Sequence, residues 1–155
     1  MNKKTAEMIA KMDTETKEKT NNQAGLALIA ETNVDRGVRL RAVLKLTDPA
    51  VLKRIAVAET DAFIRYCAVL QLTDPAVLKR IAWTDTSPLV RKAAVGRIHD
   101  QGALAQIAGM DISVDVRLTA VWRINAPAVL ERIAETDISR HVREAATRRI
   151  KELRG

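Results

Sequence analysis

Aromatic residues make up only 3% of this chain, with one phenylalanine, one tyrosine and two tryptophans. A core built from it must therefore be aliphatic. Six glycines and four prolines are too few for the many tight turns of a β-sandwich or barrel. The single cysteine, Cys67, excludes an internal disulfide and a cysteine-based zinc site. No apolar run approaches the roughly 18 residues of a transmembrane helix. The first twenty residues carry lysines but no continuous apolar stretch of a signal peptide. These absences predict a cytoplasmic protein with no membrane partner.

What is abundant is alanine, leucine, valine, isoleucine, arginine and lysine, a helix-forming mixture. The net charge of +7 is unevenly placed: residues 1–37 hold six basic and six acidic residues, and residues 38–155 hold twenty and thirteen. The positive excess therefore lies on the second region, and a pI near 9.9 admits an acidic protein or nucleic acid as partner.

Self-comparison gives the organisation. Residues 42–56, AVLKLTDPAVLKRIA, recur at 68–82 as AVLQLTDPAVLKRIA, with one difference, at a spacing of 26. At the same spacing Val38, Ile64, Val90, Val116 and Val142 each precede an arginine. Ile29, Ile55, Ile81, Ile107 and Ile133 each precede an alanine. Within a unit, VRKAAVGRI (90–98) places Val90, Ala94, Val95 and Ile98 on one helical stripe. Asp48-Pro49 and Asp74-Pro75 then start a second helix, the aspartate capping free amides and the proline at its first position. Its apolar face is Val51, Leu52, Ile55 and Ala56, repeated as Val77, Leu78, Ile81 and Ala82. Asp35, Asp61, Ser87, Ser113 and Ser139 are expected to cap the next first helix. Neither helix can bury its stripe alone, so the units must stack.

This pattern resembles the short HEAT-like repeats of the Armadillo/HEAT proteins, whose first helices read V-R-x-x-A-A-x-x-L, and is similar to leucine-rich-repeat-variant solenoids. The resemblance covers residues 23–153. It implies an all-α fold, a right-handed α-α superhelix of about four and a half two-helix units. The boundaries are a half unit 23–37, units 38–63, 64–89, 90–115 and 116–141, and a C-terminal cap helix 142–153. Residues 1–22 are expected to form a cap helix around Met8, Ile9 and Met12, with a polar connector. At 26 residues the units are short, so one helix of each is expected to be short or partly 3₁₀. Unit three, with Gly96, Gly102 and Gly109 and with Gln101 in place of proline, is expected to be the weakest.

Three sets of residues stand out as candidate sites. Arg39, Arg65, Arg91, Arg117 and Arg143 occupy the first turn of their helices, where the dipole disfavours a cation. Glu59, Asp85, Asp111 and Asp137, each six residues before one of them, suggest an ion-pair ladder between units, with partly exposed pairs. Lys53, Arg54, Val57, Lys79, Arg80 and Trp83 collect on the outer face of the second helices, which the HEAT resemblance places on the concave side. Four cations beside a tryptophan suit an acidic peptide or a stacked base. Leu40, Leu44, Tyr66, Leu70, Leu118 and Trp122 form an apolar face on the first helices, suited to a partner or to self-association.

Chemistry is harder to place. His99 and His141 stand in different columns, which argues against a metal site, and Cys67 has no positioned base. The carboxylates recur with the repeat, as caps and ladder partners should. There is no glycine-rich phosphate loop, so no cofactor is expected. The expectation is a non-enzymatic scaffold for an acidic or amphipathic protein segment. The alternative is sequence-independent binding of a nucleic-acid backbone.

Overall fold

The computed structural model describes residues 22–155. Among them the chain is wholly helical. Helix α1 covers 22–32, followed by α2 (Arg36–Lys45), α3 (Pro49–Ala58), α4 (Ala62–Val69), α5 (Pro75–Thr84), α6 (Pro88–Val95), α7 (Gln101–Met110), α8 (Val114–Val121), α9 (Pro127–Thr136) and α10 (Arg140–Arg154). The expected cap helix at Met8–Met12 and all but the last residue of its connector lie outside the described residues.

Two layers result. Each second helix packs on the first helix that follows it: α3 on α4, α5 on α6, α7 on α8 and α9 on α10. The first helices α2, α4, α6, α8 and α10 also pack on one another in order, whereas successive second helices touch only locally. The alanines facing inward explain the close layer: Ala42, Ala68, Ala94, Ala120 and Ala146 are almost completely buried and let backbones approach. The expected stripes are the core. Val90, Ala94, Val95 and Ile98 are buried, as are both four-residue faces of α3 and α5. No aromatic side chain is fully buried.

The caps hold in part. Asp48, Asp74 and Asp100 accept amides of the first turns of α3, α5 and α7; Asp35 and Asp61 do so for α2 and α4. Ser87, Ser113 and Ser139 stand at N-cap positions with extended backbones, yet their hydroxyls accept nothing there. Their own amides are instead taken by the carboxylates of Asp85, Asp111 and Asp137. Helices α4, α6 and α8 have only eight residues, and bonds to the third residue back close their last turns, such as Arg97 N–H to Ala94 and Ile98 N–H to Val95. In units two to four the short helix anticipated for a 26-residue unit is therefore the first, whereas α2 of unit one has ten residues.

The ladder exists, with different partners. Arg65 grips Asp85, just past the end of its own unit's second helix, through Nε and Nη2 at 2.8 and 2.9 Å, while Nη1 donates to the carbonyls of Glu59 and Thr60 in the unit before. Arg91 does the same with Asp111, Arg117 with Asp137 and Arg39 with Glu59. Each arginine thus takes the carboxylate twenty residues ahead and only the backbone of the residue six behind. Nor are the pairs partly exposed: the side chains of Arg91 and Asp111 are 9% and 7% accessible. Burial alone would push the Asp111 carboxyl up, but Arg91, the Ser113 amide and the nearby charge of Arg117 outweigh it and hold the carboxyl below its ordinary value. Asp137 and Glu59 are held down in the same way by Arg117 and Arg39 and by the amides of Ser139 and Asp61.

A second ladder escaped the sequence reading. Arg97, Arg123 and Arg149 donate to the carbonyls of Leu72, Ile98 and Ile124, each at the end of the preceding first helix. Gln71, in the same column, reaches the carbonyl of Val43. The signal was a column of like residues at the repeat spacing. Unit three has its own compensation: Gln101, standing where other units have proline, donates to Arg123 O and accepts from Asn125 N–H. Gln23 does the same to Lys45 and Thr47, tying α1 to unit one.

Removing one member of a buried ion pair leaves the other uncompensated, so Arg91→Ala should cost about 3 kcal/mol. Arg123→Ala removes the charge along with its bonds to one carbonyl and should cost about 1 kcal/mol. Denaturant titration of both variants checks the order, and equal losses would remove the carboxylate ladder as a source of cohesion.

The depressed carboxyls set the pH response. Their folded-state values lie below the unfolded ones, so their contribution is complete above about pH 4 and is lost as pH falls through the folded values. Melting temperature should therefore drop below about pH 4, and less steeply in an Arg91→Met, Asp111→Leu double variant. A parallel drop in that variant would assign acid unfolding to other groups.

Candidate functional site

The second-helix layer is a row of clefts. Arg54 bridges the first cleft, between α1 and α3, to Glu31 at 2.8 Å. Between α3 and α5 the corresponding arginine is Arg80, and the place of Glu31 is taken by Val57. Between α7 and α9 it is Arg132, opposite Gly109, and this cleft reaches about 600 Å³. Neither Arg80 nor Arg132 forms an ion pair among the described residues. Small side chains open the last cleft: Ala105 and Gly109 stand where α5 carries Lys79 and Trp83. The buried Arg117–Asp137 pair lines it, with Met110 and Ile138 at its rim, 73% and 90% exposed.

The candidate cations are thereby divided. Lys79 reaches forward to Asp100 at 3.0 Å, while Arg54 reaches back to Glu31. Lys53 and Arg80 make no ion pair among the described residues, and Trp83 is exposed at 42%. The basic strip read from residue types is therefore half neutralised. Glu131, expected to repel an acidic partner, is itself paired with Arg154.

On the first helices, Leu40, Tyr66 and Leu118 are partly buried against the core. Leu44, Leu70 and Trp122 remain exposed at 59%, 43% and 38%. Two residues not singled out from the sequence extend this face: Phe63, 43% exposed, and Leu89, 42% exposed. Phe63 stacks on Tyr66 with ring centroids 5.7 Å apart, and the guanidinium of Arg36 lies over its ring. Arg148 lies over Trp122. The face is broken at unit three, where Lys92 and Gly96 replace the apolar residues, and Arg41, Lys45 and Lys92 stand exposed along it.

Cys67 is buried, and burial pushes its thiol up, which leaves little thiolate for nucleophilic chemistry. Among the described residues no cluster of histidine, cysteine or carboxylate side chains could hold a metal ion. No described helix is long and apolar enough to cross a membrane. Compared with known proteins, the chain matches no family model, no curated protein and no solved structure.

The glycines of unit three are not conformationally required. None has positive φ, and nothing lies within 4 Å of a Cβ built at Gly109. Gly109→Ala should therefore stabilise the protein by up to about 1 kcal/mol, the helix-propensity difference. Thermal unfolding decides this, and a lower midpoint would mean that the open cleft between α7 and α9 is not the free space described.

Proposed function

We propose that the chain is a short HEAT-like repeat with a right-handed superhelical path, and that it works as a non-enzymatic interaction module for an acidic, amphipathic protein segment. The observation that carries this reading is the apolar face of the first helices. Leu44, Phe63, Leu70 and Leu89 lie on three successive helices and keep two-fifths or more of their surface exposed. Large apolar side chains exposed together along one layer mark a candidate interaction surface. Arg41, Lys45 and Lys92 beside it favour acidic residues in the segment that covers it. The second-helix strip is the weaker candidate because Arg54 and Lys79 are already paired.

The same bookkeeping weighs against a nucleic-acid backbone as ligand. Four column arginines are committed to buried carboxylates, and Arg97, Arg123 and Arg149 to backbone carbonyls. Much of the positive excess is thus internal and does not form a phosphate track.

Panning a displayed peptide library on the immobilised protein at physiological salt tests the reading. Enriched peptides should combine acidic residues with leucine or an aromatic at helical spacing. Their binding should be lost in Leu44→Glu with Leu70→Glu and retained in Arg54→Glu with Arg80→Glu. The reverse pattern would move the site to the second helices. No enrichment, together with a steeply salt-dependent shift of random duplex DNA, would replace the reading altogether.

A further inference from the structure

The cleft between α7 and α9 holds about 600 Å³, and both of its walls belong to described units inside the stack. Its floor is apolar, with Ala108 and Ile133 drawn from the buried core. Met110 and Ile138 stand at the rim with 73% and 90% of their surface exposed. The charges at its base are already answered: Arg117 holds both oxygens of Asp137, and Arg91 holds Asp111. Two polar side chains are left over. Arg132 on α9 and Gln106 on α7 both line the cleft, and neither side chain is hydrogen-bonded or ion-paired among the described residues.

Another cleft of the same molecule shows what answers such an arginine. Arg54 and Arg132 stand in one column of the repeat, and Glu31 and Gly109 stand in another. Between α1 and α3, Glu31 crosses to Arg54 at 2.8 Å. Gly109 has no side chain to send across, and nothing lies within 4 Å of a Cβ built there. Ala105 lowers the same wall, in the column of Lys53 and Lys79. The cleft therefore offers a cation without its carboxylate, beside apolar space where the side chain bearing that carboxylate would run.

We infer that this cleft binds a small carboxylic acid with a compact apolar body. The carboxylate meets Arg132, and the body lies over Ala105, Ala108 and Gly109, flanked by Met110 and Ile138. The volume suits such a molecule, and apolar walls with a few polar anchors are what ligand clefts present. A guanidinium takes a carboxylate through two parallel N–H donors, and the Gln106 amide adds a neutral donor from the opposite wall. One free cation matches a monoanion. A phosphate dianion would leave a charge unanswered close to Asp111 and Asp137, whose arginines are committed. The site lies on the second-helix layer, so Leu44→Glu with Leu70→Glu should leave it intact, and its failure would not touch the reading of the first-helix face.

The test titrates 3-phenylpropionate, its amide and acetate into protein carrying ¹³C at the methionine and isoleucine methyls. Met110→Leu and Ile138→Val assign the two rim signals by their loss. Both signals should shift saturably with 3-phenylpropionate and stay in place with acetate. The amide should bind about tenfold more weakly, as should the acid to Arg132→Gln. Gly109→Glu supplies the carboxylate that Glu31 gives to Arg54 and, with an unchanged helical spectrum, should abolish the response. Gly109→Ala and Arg80→Gln should keep it. No shift up to the solubility limit of the acid, equal affinity for acid and amide, or binding that survives Gly109→Glu would overturn the proposal. A tighter response to acetyl-phenylalanine than to 3-phenylpropionate would assign the carboxylate to the end of a polypeptide and overturn the small-molecule assignment.

Discussion

The stack depends on an arginine placed where its own helix does not want it. In the first turn a cation opposes the helix dipole, and an aspartate just past the end of the preceding helix is misplaced for the same reason. The guanidinium resolves both. Its Nη1 lies against carbonyls just past the end of the previous second helix, the negative pole, and its Nε–Nη2 edge takes the carboxylate just past the end of its own unit's second helix. One side chain thus fixes its own helix, the turn of the unit before it and the turn that ends its own unit. Because each carboxylate also accepts the amide that opens the next first helix, the rung positions the residue that starts the following rung. Ion pairs this buried are weak sources of net stability, since desolvation offsets much of the attraction. Their contribution is to register: a unit displaced along the stack would part a buried guanidinium from the carbonyls of the turn before it.

The second arginine column changes what the net charge means. Arg97, Arg123 and Arg149 complete the orphan carbonyls at the ends of first helices, a task that calls for a donor and no counter-ion. Such residues add positive charge without adding a basic surface. Read as composition, the excess on residues 38–155 points outward; in the structure a good part of it serves the backbone.

Function must then be sought in what the ladders leave over. The first-helix layer, drawn close by its alanine column, cannot cover the leucines and aromatics that stand on its outer edge. The second-helix layer is open, and its clefts differ through a few residues: Glu31 bridges to Arg54 across one, Val57 lines a narrower one, and Ala105 and Gly109 leave a third wide beside Arg132. A repeat whose outward positions vary while its buried columns hold constant can change its surface without altering its core.

The sequence by itself determined the period, the two-helix unit, the buried columns and the aspartate caps. All of these follow from local propensity and from apolar spacing that one helix expresses alone. It also identified the ladder residues, because a charge misfit repeated five times demands an answer. Only the tertiary structure decided which carboxylate answers which arginine, twenty residues ahead and not six behind, since that choice depends on how the two helices of a unit are placed in space. The packing of one unit on the next paired Arg54 with Glu31 and Lys79 with Asp100, and gave Arg123 a carbonyl to hold. Those are contacts between different units, and no spacing along one strand of sequence encodes the distance between two helices that have yet to meet.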